Sequence, residues 1–91
     1  MQSQIPNDPI VLALAALVAT LGCERRAQRF IDLTGIGTGE LRARAADPAL
    51  LTALLRFLEA HEPDLLAVAE VLGCKPQDLV EARAMLEEGR T

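Results

Sequence analysis

Residues 47–58 read DPALLTALLRFL and predict an amphipathic α-helix, which sets the fold class of the chain. Their apolar residues recur at intervals of three and four, the period of a helix with one buried face. The Asp-Pro pair indicates the start, because proline at the first helical position loses no hydrogen bond there. We expect Thr52, Arg56 and Glu59 to face solvent. The residues expected to be buried are Leu50, Leu51, Leu54, Leu55, Phe57 and Leu58.

Similar signals for the start and the end of a helix occur in the segments before and after this one. A charged residue followed by proline precedes three other apolar segments, at Asp8-Pro9, Glu62-Pro63 and Lys75-Pro76. Glycines follow the segments, where a left-handed residue commonly closes a helix, and Thr38 is expected to cap a further short helix. These glycines are Gly22, Gly35, Gly73 and Gly89.

Together these signals predict an all-α fold, a compact single-domain bundle of five to six short helices. Leu and Ala make up 31 of 91 residues, and no strand pattern is present. The predicted bundle domain covers residues 9–88, with an N-terminal tail at 1–8 and a C-terminal tail at 89–91. The predicted helices span 9–21, 24–34, 39–46, 48–60, 63–72 and 76–88.

Two of the predicted helices are rich in apolar residues. The first is apolar all round, so we expect either its neighbours or a second chain to surround it. Its run of about twelve apolar residues is short of the ~20 needed to span a bilayer, so no membrane association is expected. The fifth helix is expected to bury Leu65, Leu66, Val68, Ala69 and Leu72.

Charge is distributed unevenly along the chain. The net charge is −4, which argues against nucleic acid as a partner. Residues 24–44 carry a net charge of +2 and residues 45–91 a net charge of −5. A solvated surface of mixed sign is one interpretation, and an interaction patch is the other. That patch consists of Arg25, Arg26, Arg29, Arg42 and Arg44.

No residue pattern predicts a catalytic, cofactor or metal site. A single histidine, His61, would have to serve every acid–base mechanism, and we place it in solvent at the end of the fourth helix. The glycines of residues 35–39 match neither the dinucleotide nor the Walker phosphate-loop spacing. Cys23 and Cys74 form no CxxC motif, which fits reduced thiols in the cytoplasm. We therefore expect a protein without enzymatic activity or cofactor.

Residues 69–79, AEVLGCKPQDL, have the spacing of a helix-turn-helix. The hairpin at 63–88 therefore makes DNA binding the alternative function. Asp78 and Glu81 on its second helix would repel the DNA backbone. Arg83 lies beside the apolar stripe of that helix. Two hypotheses are open for it: its charged end reaches solvent along the apolar surface, or it pairs with a carboxylate from another helix.

Residues 29–36, RFIDLTGI, followed by Glu40-Leu41-Arg42 and Asp47-Pro48, resemble a domain-of-unknown-function family of small all-helical alphaproteobacterial proteins. The resemblance covers about residues 10–88. The resemblance implies no established activity, cofactor or site residue. What it does imply is a role connected with bacterial signalling.

We therefore expect a non-enzymatic helical protein-interaction or adaptor module. Its protein partner is unidentified, and self-association is one option. A bundle that binds a small molecule or lipid among its leucines is a third hypothesis.

Overall fold

Six α-helices form the described part of the chain, residues 8–89 of a computed structural model, and no strand occurs within those residues. The all-α bundle predicted from the sequence is confirmed. Most of both predicted tails lies outside the described residues. The helices are α1 (Pro9–Leu21), α2 (Glu24–Thr34), α3 (Thr38–Ala43), α4 (Pro48–Glu59), α5 (Glu62–Leu72) and α6 (Pro76–Glu87).

The Asp-Pro pairs begin their helices as expected. The carboxylates of Asp8 and Asp47 accept hydrogen bonds from the backbone amides of Ile10 and Ala49, at 2.8 and 2.9 Å. Each satisfies an amide that the first helical turn leaves without an intrahelical partner.

His61, expected in solvent at the end of α4, instead takes the N-cap position of α5 and is half-buried.

The third helix is shorter than predicted. It ends at Ala43 rather than at residue 46, because the amide of Asp47 folds back onto the carbonyl of Arg44 at 2.9 Å. This turn redirects the chain into α4. The expected cap at Thr38 is also wrong: Gly37 occupies the N-cap position, and no side chain caps the helix.

Two glycines show where the expected helix ends were right and wrong. Gly73 closes α5 in the left-handed conformation, at φ 71°. Gly22 follows α1 at φ −74°, an ordinary right-handed geometry. Its amide bonds to the carbonyl of Val18 at 2.9 Å, as in a continuing helix. A left-handed stop was therefore the wrong expectation at Gly22.

The core lies where α1 packs against α4, α5 and α6. Fully buried Ala13 and Ala16 in α1 let neighbouring backbones approach closely. All six residues of α4 that were expected to be buried are buried. In α5, the prediction that Leu66 is buried is wrong: this residue is 48% exposed on the outer side of the helix.

The other helices of the chain cover only part of the apolar helix α1. Leu12, Ala13, Ala16 and Leu17 are buried. On the opposite side, Val11, Val18 and Leu21 are exposed and Leu14 is half-buried. Within residues 8–89, no helix has the length and apolar character needed to cross a membrane.

Candidate functional site

An apolar groove runs along α1, between this helix and the α2–α3 segment. Its volume is about 380 Å³, which lies within the ~300–1,000 Å³ range of ligand pockets. Nine of its ten lining residues are uncharged, so the groove presents mainly apolar surface. The lining residues are Leu14, Leu17, Val18, Leu21, Ala27, Ile31, Thr38, Leu41, Arg42 and Ala45.

Two helices that bury few side chains, α2 and α3, border the groove. Phe30 is the only buried residue of α2, and Leu41 is the only buried residue of α3. Ala27 and Ile31 of α2 remain half-buried and face the groove. These two helices therefore form one wall of the groove instead of closing over it.

The outer stripe of α1 consists of Val11, Leu14, Val18 and Leu21. Intervals of three and four place these side chains on one side of the helix. Val11 is 43% exposed, Val18 69% and Leu21 38%. Three members of the stripe also line the groove. The stripe and the groove are thus continuous, and we call their residues together the apolar surface.

A buried carboxylate holds α2 in position. Asp64, in the first turn of α5, is 1% exposed and accepts a hydrogen bond from the guanidinium of Arg29 in α2. The same guanidinium lies over the ring of Phe57, with its central carbon 5.0 Å from the ring centre. Nη2 of Arg25 is 3.6 Å from the other carboxylate oxygen. A helix N-terminus also favours a negative charge at this position.

Two aromatic rings complete this anchor. Phe30 of α2 meets Phe57 of α4 edge to face, with ring centres 5.2 Å apart. Such a pair contributes about 0.5–1.5 kcal/mol beyond the burial of its area. The wall of the groove formed by α2 is therefore fixed to α4 and α5 by an ion pair and an aromatic contact.

The five arginines proposed as a patch have different surroundings. Arg25 and Arg29 meet at Asp64. Arg26 donates to the carbonyl of Ala19 at the end of α1, at 3.1 Å. Arg44 pairs with Glu40 and Asp47, each at 3.0 Å. Arg42 is exposed and lines the apolar groove.

The two thiols have opposite environments. Hydrogen bonding from the backbone of Arg26 is the main cause that lowers the pKa of Cys23 below its ordinary value. Burial, followed by the negative charge of Asp78, raises the pKa of Cys74. Both cysteines are free and half-buried. Across residues 8–89, no three His, Cys, Asp or Glu residues converge to hold a metal ion.

The predicted hairpin at 63–88 corresponds to α5 and α6. Its packing residues Ala69 and Leu79 are buried. The hypothesis of an interhelical partner for Arg83 is confirmed, because its guanidinium donates to both carboxylate oxygens of Glu59 in α4, at 2.8 and 3.1 Å. A third contact, to Glu87, is 2.9 Å long. This arginine therefore ties α6 to α4.

Sequence reasoning missed two parts of this arrangement. The spacing of the outer stripe was present in the sequence, but the apolar residues on every side of α1 concealed it. Asp64 gave no signal of burial, because its partner Arg29 lies 35 residues away and the packing of α2 brings them together. An acidic residue early in a helix ordinarily indicates only a favourable dipole contact.

A family model described as "Protein of unknown function (DUF3572)" matches residues 6–89, which include all six helices. The chain belongs to this family. The DUF3572 match confirms the resemblance drawn from residues 29–36 and the Asp47-Pro48 pair. It also spans every residue of the apolar surface. Neither a curated protein nor a solved structure matches this DUF3572 chain.

Proposed function

We propose that this DUF3572 protein is a non-enzymatic interaction module that docks a helical segment of another protein on its apolar surface. The observation that carries the proposal is the exposure of Val18, 69%, beside an apolar groove of about 380 Å³. Water contact with such surface costs about 25 cal/mol per Å², so covering it with a partner is favourable.

The shape of the apolar surface favours a helix as the docking segment. Leu14 and Leu21 of α1 lie seven residues apart, about 10 Å at 1.5 Å rise per residue, which matches two turns of a bound helix. Helix-in-groove recognition uses apolar anchors at i, i+3 or i+4, and i+7. Strand addition needs a sheet edge, and residues 8–89 contain no strand. Recognition of proline-rich peptides uses exposed aromatic rings, whereas Phe30 and Phe57 are buried.

The chemistry of the lining residues supports binding over catalysis. Thr38 and Arg42 are the only lining residues with polar side chains, and neither has a base or nucleophile beside it within the groove. A module of this kind acts by holding proteins together. We propose an adaptor role in bacterial signalling for it, in the cytoplasm, where its two free thiols stay reduced.

DNA binding is less well supported than docking of a helix. A recognition helix needs free basic side chains for phosphates and bases. In α6 the guanidinium of Arg83 is engaged by Glu59 and Glu87. Asp78 and Glu81 on the same helix add negative charge.

Photo-crosslinking at matched valines tests the proposal. Val18 is 69% exposed at the groove, and Val71 is 66% exposed on α5. Benzoylphenylalanine at position 18, introduced in the native host, is expected to give a discrete adduct with a different protein. The same group at position 71 is expected to give none.

A second change makes the crosslinking result specific to the groove. Ala27→Glu places a charge in the wall of the groove and is expected to abolish the adduct from position 18. Identical adduct patterns from positions 18 and 71, or adducts only between copies of this chain, would contradict the proposal.

A further inference from the structure

We propose that the docked segment is an acidic amphipathic helix, and that a carboxylate of this helix pairs with Arg42. This inference rests on the proposed function and names the chemistry of the partner. Arg42 is the single charged residue among the ten that line the groove. It stands at the edge of an apolar surface, where a charge selects a partner of opposite sign.

The guanidinium of Arg42 is available for such a pair. None of the Asp or Glu residues within 8–89 lies within the 4.0 Å ion-pair distance of Arg42. Its neighbour Arg44 differs, because Glu40 and Asp47 both engage it at 3.0 Å. Within α3 and the turn that follows, one arginine is thus neutralised by its own chain and the other faces the groove uncompensated.

A second copy of the chain does not supply a carboxylate that can pair with Arg42 at the groove. A symmetric dimer places the same surface on both sides, so that surface has to complement itself. The lining residues include Arg42 and no carboxylate, so two copies offer each other no opposite charge at the groove. An anionic membrane surface is recognised by clusters of Lys and Arg, and the groove contains one arginine.

The expected partner segment can therefore be described. It is a helix of two to three turns with apolar anchors at i, i+4 and i+7, which pack between the outer stripe of α1 and Ile31 of α2. At least one Glu or Asp at its margin reaches Arg42. Apolar contact supplies most of the affinity, and the ion pair selects the charge of the partner.

Two synthetic peptides test this charge selection by fluorescence anisotropy at low salt. Both are helices of about 18 residues with the same leucines at i, i+4 and i+7, and they differ only in carrying flanking Glu or flanking Lys. The full chain is expected to bind the Glu peptide about fivefold more tightly than the Lys peptide. Arg42→Glu is expected to reverse that preference.

Lys75→Glu provides the matched control. It makes the same change in net charge at an exposed residue outside the groove. It is expected to alter the affinity for either peptide by less than about twofold. Thermal denaturation followed by circular dichroism checks that all variants fold.

The outcomes separate this inference from the proposed function. Equal affinity for both peptides, or an unchanged preference in Arg42→Glu, overturns the pairing with Arg42. Loss of both peptides in Ala27→Glu would in that case still uphold docking at the groove. If neither peptide binds the wild-type chain, both proposals are overturned.

Two further measurements test whether a second copy of this chain or a membrane surface occupies the groove instead. A dimer seen by sedimentation velocity that Val18→Glu dissociates would identify a second copy as the occupant and overturn the inference. Binding to phosphatidylglycerol vesicles that Arg42→Glu abolishes would do the same in favour of a membrane surface.

Discussion

The carboxylate of Asp64 is buried at the start of α5 and accepts a hydrogen bond from Arg29 of α2. Arg29 is 35% exposed and also covers the ring of Phe57. Removal of the carboxylate leaves this guanidinium partly buried and without its acceptor, a change whose cost exceeds the loss of a surface ion pair.

We therefore predict that Asp64→Ala lowers the free energy of unfolding by about 2–3 kcal/mol in urea denaturation. Asp64→Asn keeps an acceptor for Arg29 without the charge, and a smaller loss is expected. Because α2 forms one wall of the groove, Asp64→Ala should also weaken binding of the Glu peptide. An equal free energy of unfolding for the wild type and Asp64→Ala would show that this ion pair does not stabilise the fold.

The ion pair between Arg83 and Glu59 yields a second prediction. Arg83→Leu is expected to lower the free energy of unfolding by about 1–2 kcal/mol, since it leaves Glu59 half-buried without its donor. Adding Glu59→Leu should restore part of the loss, because both charges are then absent. A double-mutant cycle measured by urea denaturation gives the coupling. Strict additivity of the two single changes would refute an interaction between these side chains.

The two kinds of helix end give a matched pair of substitutions. Gly73→Ala forces a side chain into the left-handed region at φ 71°, and we expect a loss of about 1–2 kcal/mol. Gly22→Ala leaves an ordinary φ of −74°, and alanine restricts the unfolded chain, so we expect a gain of up to about 1 kcal/mol. Thermal melting of the two variants measures the contrast. Equal shifts in melting temperature would contradict it.

Asp47 makes stability dependent on pH. The amide of Ala49, followed by the guanidinium of Arg44, holds the pKa of the Asp47 carboxyl below its ordinary value. The folded state therefore favours the ionised form. Its contribution is complete above the pKa of the unfolded chain, about 4, and is lost as pH falls through the lower folded pKa.

Asp47→Asn tests this pH dependence because asparagine can cap α4 but cannot ionise. The difference in urea midpoint between the wild type and this variant should stay constant above about pH 5 and shrink below about pH 4. A difference that persists unchanged down to about pH 2 would contradict the lowered pKa of Asp47.

Local chemistry explains what could be predicted from the sequence. Asp8 and Asp47 each contact an amide two residues away, so the starts of α1 and α4 followed from short-range rules. The helical period correctly placed the buried side of α4. The position of Arg83 allowed either exposure of its charged end or a partner on another helix, and only the packing of α6 against α4 identifies Glu59 as that partner.

Longer-range packing explains what could not be predicted. Periodicity assigned Leu66 to the core, whereas the orientation of α5 leaves it exposed. The burial of Asp64 depends on where α2 lies. Apolar residues on every side of α1 gave no indication of which side the chain would cover, so the groove was not visible before the fold was known.

The division of α1 into a covered side and an open side has an evolutionary consequence. Ala13 and Ala16 are constrained by the helices packed against them, while Val11 and Val18 are exposed to solvent. Substitutions on the open side cost the fold little. Under the proposed function, descendants of this protein can therefore exchange one binding specificity for another along a single helix while the bundle beneath it stays the same.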